Sequence, residues 1–127
     1  MEVVSGLHQV AQHAEDLDRA IGFYRDVLGA RFIARFDAPG LAFFDLQGTR
    51  LLLESGVPSA MLYLRVRDID AAFRTLSERG VVFEEDPRLV YRDDEGLFGP
   101  PGEEEWIAAF RDSEGNLVAL MSRRIAG

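Results

Sequence analysis

The run LHQVAQHA, residues 7 to 14, crowds two histidines and two glutamines into a segment whose alternation reads as a strand. Alternation puts Gln9, Ala11 and His13 on one face and His8 on the other. Imidazole nitrogens and amide oxygens bind divalent metals, and they also hold small polar ligands by hydrogen bonding. Gln9 and His13 stand about 13 Å apart on an extended chain, too far to share one ion. His8 reads as a strand-edge or capping histidine, and the spacing leaves His13 open between a structural role and one facing a ligand. A second strand-like run, AMLYLRV, places Met61, Tyr63 and Arg65 on one face. The forked guanidinium of Arg65 suits a carboxylate, and Tyr63 offers a ring to stack on and a hydroxyl to donate. Glu54, at the end of TRLLLE, is a candidate proton-transferring base. The sequence holds no cysteine, no glycine-rich phosphate loop and no Ser-His-Asp arrangement, so covalent catalysis has no evident agent.

Two helices must position these strands. Asp16 is an N-cap, followed by Leu17, Ala20, Ile21, Tyr24 and Leu28 at helical spacing, with Gly29 as the stop. Asp68 caps a second helix with Ile69, Ala72, Phe73 and Leu76 on one face, closed by Gly80. The caps lie 52 residues apart, and each opens Asp-apolar-Asp, the mark of an internal duplication. His13 and Arg65 are related by the same shift.

Extended segments RFIARF, LAFFDL and TRLLLE follow the first helix, and VVFEE, EWIAAF and NLVALM follow the second. Turn signals fall at Pro39-Gly40, Gln47-Gly48 and Glu114-Gly115. Each half thus reads β-α-β-β-β: one module at about residues 5–55, another at about 60–123, joined by SGVPS within one 127-residue domain. The connection from Glu84 to Glu105 carries nine acidic residues and two arginines and reads as irregular. It is either a lid favouring cationic ligands or solvated surface. Trp106 and Phe110 after it read as core.

A net charge of −8 with no lysine argues against nucleic acid, whose phosphates need clustered basic side chains. No run of eighteen apolar residues suggests a membrane span, and MEVVSGLH lacks the features of a signal peptide, so the expected location is the cytoplasm.

The phrases AEDLDRAIGFYRDVLGARF, VRDIDAAFRTLSERGVVF and AAFRDSEGNLVALMS closely resemble the glyoxalase, bleomycin-resistance and extradiol-dioxygenase (vicinal oxygen chelate) superfamily. The resemblance implies an α+β fold of two tandem β-α-β-β-β modules forming a curved eight-stranded cleft, a ligand in the cleft, and a homodimer. Enzymes of this family place metal ligands on the first and last strand of each module. Those positions here are Gln9, Met61, Ala119 and Leu52, with Glu54 two residues further along the same strand face. Met61 and Ala119 offer no donor to a hard ion. The expectation is therefore a cleft without a divalent metal, binding a small apolar or aromatic molecule through Gln9, His13, Leu52, Glu54, Met61, Tyr63, Arg65, Ala119 and Met121. The alternative is a metal-dependent lyase, isomerase, epimerase or dioxygenase, with Gln9 and Glu54 holding Ni, Co, Mn, Zn or Fe and Glu54 as base. A metal-free enzyme with His13 or Glu54 as base is a third course.

Overall fold

A computed structural model describes residues 3–111 and 117–126. The turn expected at Glu114-Gly115 lies outside the described residues. The chain divides into two compact units, His8–Leu62 and Met1–Leu7 with Tyr63–Gly127.

The first unit holds strand β1 (Gly6–His13) from His8 onward, helix α1 (Leu17–Gly22) and strands β2 (Arg31–Phe36), β3 (Leu41–Leu46) and β4 (Thr49–Glu54). The strands lie in the order β2-β3-β4-β1, with β1 parallel to β4 and the other pairs antiparallel. Asp16 caps α1 by accepting from the Arg19 amide at 3.0 Å. Its apolar stripe, Leu17, Ala20, Ile21 and Tyr24, packs on Ala14, Ala42, Phe44, Leu51 and Leu53. Because strand side chains alternate, Leu51 and Leu53 go to the helix while Arg50, Leu52 and Glu54 take the opposite face. Gln47 and Gly48 both adopt positive φ, 56° and 106°, and make the two-residue β3–β4 hairpin.

The stripe expected to run on to Leu28 does not. A π-helical turn at Phe23–Val27, closed by the Leu28 amide on the Phe23 carbonyl at 3.0 Å, widens the last turn. Leu28 is rotated off the buried stripe and is 58% exposed. Gly29, at φ 71°, still ends the element.

The second unit holds β5 (Met61–Arg65) from Tyr63 onward, α2 (Ile69–Glu78), β6 (Arg88–Asp93), β7 (Glu103–Arg111) and β8 (Leu117–Ile125), with the strands in the order β5-β8-β7-β6. Asp68 caps α2 through the Ala71 amide at 3.1 Å. Ile69 and Ala72 bury against Val66, Ala108 and Leu120. Residues before β1 belong here: the amide and hydroxyl of Ser5 both donate to the Arg65 carbonyl, at 2.8 and 3.2 Å. The fold is α+β, built from two β-α-β-β-β modules.

Two expectations about this unit need correction. VVFEE is not a strand: Phe83 makes only an isolated bridge to Phe110. Its ring stacks with Phe73 and Phe110 instead, so it works as a plug under α2. The strand after α2 is Arg88–Asp93, inside the segment read as irregular. It pairs antiparallel with β7, which leaves Asp94–Gly102 as the loop.

No helix among the described residues is long and apolar enough to cross a membrane.

Candidate functional site

On the first module, the sheet face turned away from α1 is ordered by the β1–β4 register. Gln9 lies opposite Arg50, Ala11 opposite Leu52, and His13 opposite Glu54. Phe43 of β3 lies beside Leu52. Gln9 is 3% exposed and Arg50 8%. The Arg50 Nε donates to Gln9 Oε1 at 2.9 Å, and the guanidinium sits 5.4 Å from the centre of the Phe43 ring. The carboxamide is thereby oriented: its oxygen faces the cation, and its NH2 faces away.

This bears directly on whether Gln9 could ligate a metal. An ion on Oε1 would stand within about 4 Å of the Arg50 charge. A divalent cation there meets a repulsion of about 8 kcal/mol at an effective dielectric constant near 20.

Glu54 is half-buried, and burial pushes its carboxyl above the ordinary value. Gly56 leaves room for it: a Cβ there would come within 2.9 Å of Glu54 Oε1. A carboxyl whose pKa rises on folding adds stability below pH 4.5 and loses it as pH climbs through the raised value. Glu54→Gln is therefore expected to leave neutral-pH stability unchanged or improve it by about 0.5 kcal/mol at most, since solvent screens the part-exposed group. Urea titrations at pH 4 and pH 7 check this. A loss above about 1 kcal/mol at pH 7 would show that the carboxylate is paired.

His13 is exposed, and its amide donates to Ser59 Oγ at 3.2 Å. It borders an open recess of about 520 Å³ with Asp16, Arg19 and Tyr24 at the start of α1. Met61 is buried.

On the second module, Tyr63, Ala119 and Met121 are all buried on the face away from α2. Register places Ala119 opposite Ala109, Met121 opposite Ile107 and Arg123 opposite Glu105. Arg65 is exposed, and its guanidinium lies against Gly6, where a Cβ would meet Nη2 at 2.3 Å. The absent side chain of Gly6 gives Arg65 its resting place.

The two modules can be matched by their backbones. The Ala14 amide donates to the Glu54 carbonyl, and the Val66 amide donates to the Met121 carbonyl, each at 3.0 Å. Ala14 and Val66 are 52 residues apart, so Glu54 corresponds to Met121. Stepping back along each strand, Leu52 corresponds to Ala119 and Arg50 to Leu117, while Gln9 corresponds to Met61 and Ala11 to Tyr63. The first module thus carries an amide, a guanidinium and a carboxyl where the second carries methionine, leucine and methionine. Among the described residues, no group of three or more His, Cys, Asp or Glu side chains is arranged to hold a metal ion.

Sequence reasoning missed two features. Arg50 was legible in principle: in TRLLLE it shares a strand face with Leu52 and Glu54, where an arginine has to be buried or paired. The other is Arg123, which meets Asp93, Glu103 and Glu105 at 3.1, 2.9 and 2.7 Å. Its acids come from the segment read as a lid or as solvated surface, and only the fold brings them to one guanidinium.

A sequence profile of the glyoxalase/bleomycin resistance protein/dioxygenase superfamily matches residues 6–120. No curated protein sequence matches the chain. Among solved structures, methylmalonyl-CoA epimerase from Mycobacterium tuberculosis is 25% identical, with a TM-score of 0.68 over 100% of this chain and 92% of that one. A variant of Streptomyces coelicolor methylmalonyl-CoA epimerase in complex with 2-nitronate-propionyl-CoA is 18% identical, with a TM-score of 0.72 over 94% of each chain. A hypothetical protein from Bacillus halodurans C-125 is 15% identical, with a TM-score of 0.71 over 95% of this chain and 96% of that one. With the duplicated β-α-β-β-β modules and a profile match over nearly its whole length, the chain belongs to the glyoxalase/bleomycin resistance protein/dioxygenase superfamily.

Proposed function

We propose that this protein binds a small, largely apolar or aromatic molecule on the sheet faces turned away from its helices, and does so without a divalent metal. The observation that carries the reading is the buried Arg50–Gln9 hydrogen bond. It engages the oxygen a metal would need and sets a positive charge beside it. Met61 and Ala119 supply no donors, so the donor set does not suit the ion that the family resemblance implies. Apolar side chains with a few fixed polar groups suit an organic ligand. On the first module's face Gln9 then acts through its NH2 as a hydrogen-bond donor, and on the second module's face Tyr63 and Met121 offer apolar contact. The reading includes a homodimer acting in the cytoplasm, its association state to be measured by sedimentation.

The test is thermal unfolding of metal-stripped protein with nickel, cobalt, manganese, zinc or ferrous iron added in turn. Saturation at a hundred times Kd would stabilise by about 2.7 kcal/mol and raise Tm by about 8 °C. The expected shift is below about 1 °C for every ion. A rise near the saturation figure with any of them would overturn the metal-free reading.

A second reading is favoured by the raised pKa of Glu54, a direction that suits a general base. In it the protein is a lyase, isomerase, epimerase or dioxygenase using Gln9 and Glu54, as the similarity to methylmalonyl-CoA epimerases invites. Epimerisation of methylmalonyl-CoA that disappears in Glu54→Gln would establish it. Absence of turnover with every metal tried would leave the binding reading standing.

A further inference from the structure

We propose that Asp93 is a positioning residue that fixes the segment Asp94–Gly102 as a rigid wall at the Arg123 end of the second module's ligand face. Asp93 is fully buried at the end of β6. Its Oδ1 accepts from the Leu97 amide at 2.8 Å, and Oδ2 accepts from the Phe98 amide at 2.9 Å and from Arg123 Nη2 at 3.1 Å. Its own carbonyl accepts from the Gly102 amide at 2.8 Å, which closes the loop at its far end. Arg123 Nη2 donates in addition to the Pro100 carbonyl at 3.1 Å. The carboxylate and the guanidinium therefore clasp the segment at Leu97, Phe98 and Pro100.

Two glycines let the chain follow this path. Gly96 adopts φ 73°, a conformation that favours glycine. At Gly99 a Cβ would press to 3.1 Å from the Arg123 guanidinium.

The clasp also places side chains. Tyr91 is opposite Glu105 in register, and Glu105 is opposite Arg123, so the three share the face that carries Met121. The Phe98 ring packs edge-on against Tyr91, with centroids 5.8 Å apart. Holding the Phe98 amide thus keeps its ring on Tyr91, which shares the face that carries Ile107 and Met121. This part of the segment read from sequence as either a lid or solvated surface becomes a fixed boundary that limits the length of what the face accepts. This inference rests on the reading of that face as a ligand surface.

The test uses the full chain with two conservative variants and one probe, 8-anilinonaphthalene-1-sulfonate. Asp93→Asn turns one acceptor into a donor facing donors. Arg123→Lys keeps the charge and loses the fork, and it serves alone if Asp93→Asn does not fold. In both, exchange of the Leu97 and Phe98 amides is expected to speed up roughly tenfold to a hundredfold, with amides of β4 unchanged. The probe's dissociation constant is expected to rise several-fold. Phe98→Ala is expected to weaken the probe equally while the Leu97 amide keeps its protection. Unchanged exchange at Leu97 and Phe98 in both variants overturns the positioning role. Faster exchange with unaltered probe affinity overturns the wall. Failure of the unmodified protein to bind any probe overturns the ligand-face reading, and the exchange data then judge the clasp separately.

Discussion

Asp93→Ala is expected to lower the unfolding free energy by about 3–5 kcal/mol, the largest single loss foreseen outside the apolar core. The substitution removes an acceptor from two part-buried loop amides and from Arg123 at once, and the carboxylate it deletes is fully buried. Burial alone would raise the Asp93 carboxyl. The amides of Phe98 and Leu97, together with Arg123, outweigh that and hold it below its ordinary value. Stabilisation from such a depressed carboxyl is complete above the unfolded pKa of 3.8 and disappears as pH falls through the lower folded value. Urea unfolding at neutral pH measures the loss. A second titration below pH 3.8 should find the variant and the parent closer together. A neutral-pH difference under about 1 kcal/mol would mean that the clasp contributes nothing beyond an exposed ion pair.

The second large effect concerns the polar pair of the first module. Arg50→Met is expected to cost about 2–4 kcal/mol, because Gln9 Oε1 loses its donor inside the sheet and the ring of Phe43 loses its cation. Gln9→Leu leaves a buried guanidinium without that acceptor and should cost a similar amount. The double variant should fall short of the sum by about 1–3 kcal/mol, since the orphaned partner is then gone as well. Strict additivity would show that the two side chains do not act as a unit. That outcome would also remove the argument that Gln9 is committed to Arg50 and unsuited to a metal.

Much of the fold was legible because each module is specified locally and twice. The Asp16 and Asp68 caps, the glycine stops and the 52-residue shift all have direct physical counterparts. Strand alternation put Gln9 and His13 on one face of β1 and Leu52 and Glu54 on one face of β4, and the register sets Ala11 beside Leu52 and His13 beside Glu54. The errors fall where tertiary packing overrides local pattern. Val81-Val82-Phe83 looks like a strand, yet Val82 is 84% exposed and Phe83 spends its ring on Phe73 and Phe110. Arg88–Asp93 looks like loop because charges flank a short apolar centre, which is the make-up of an edge strand paired on one side only. Leu28 was assigned to the core on a 3.6-residue period that the π turn breaks. The place of Arg50 on the face of Leu52 and Glu54 marks it as a residue to be buried or paired, but its partner Gln9 lies 41 positions away and only the fold names it.

The tie between Ser5 and Arg65 has a consequence for how the molecule is made. Ser5 emerges from the ribosome ahead of the first unit, but its hydrogen-bonding partner Arg65 follows 60 residues later. At about 5–20 residues per second, translation leaves that leading segment waiting for roughly 3–12 s. The first unit, whose own strands are by then complete, has time to fold before its neighbour's leading segment finds its place. Slowing elongation should therefore favour the order in which the units assemble.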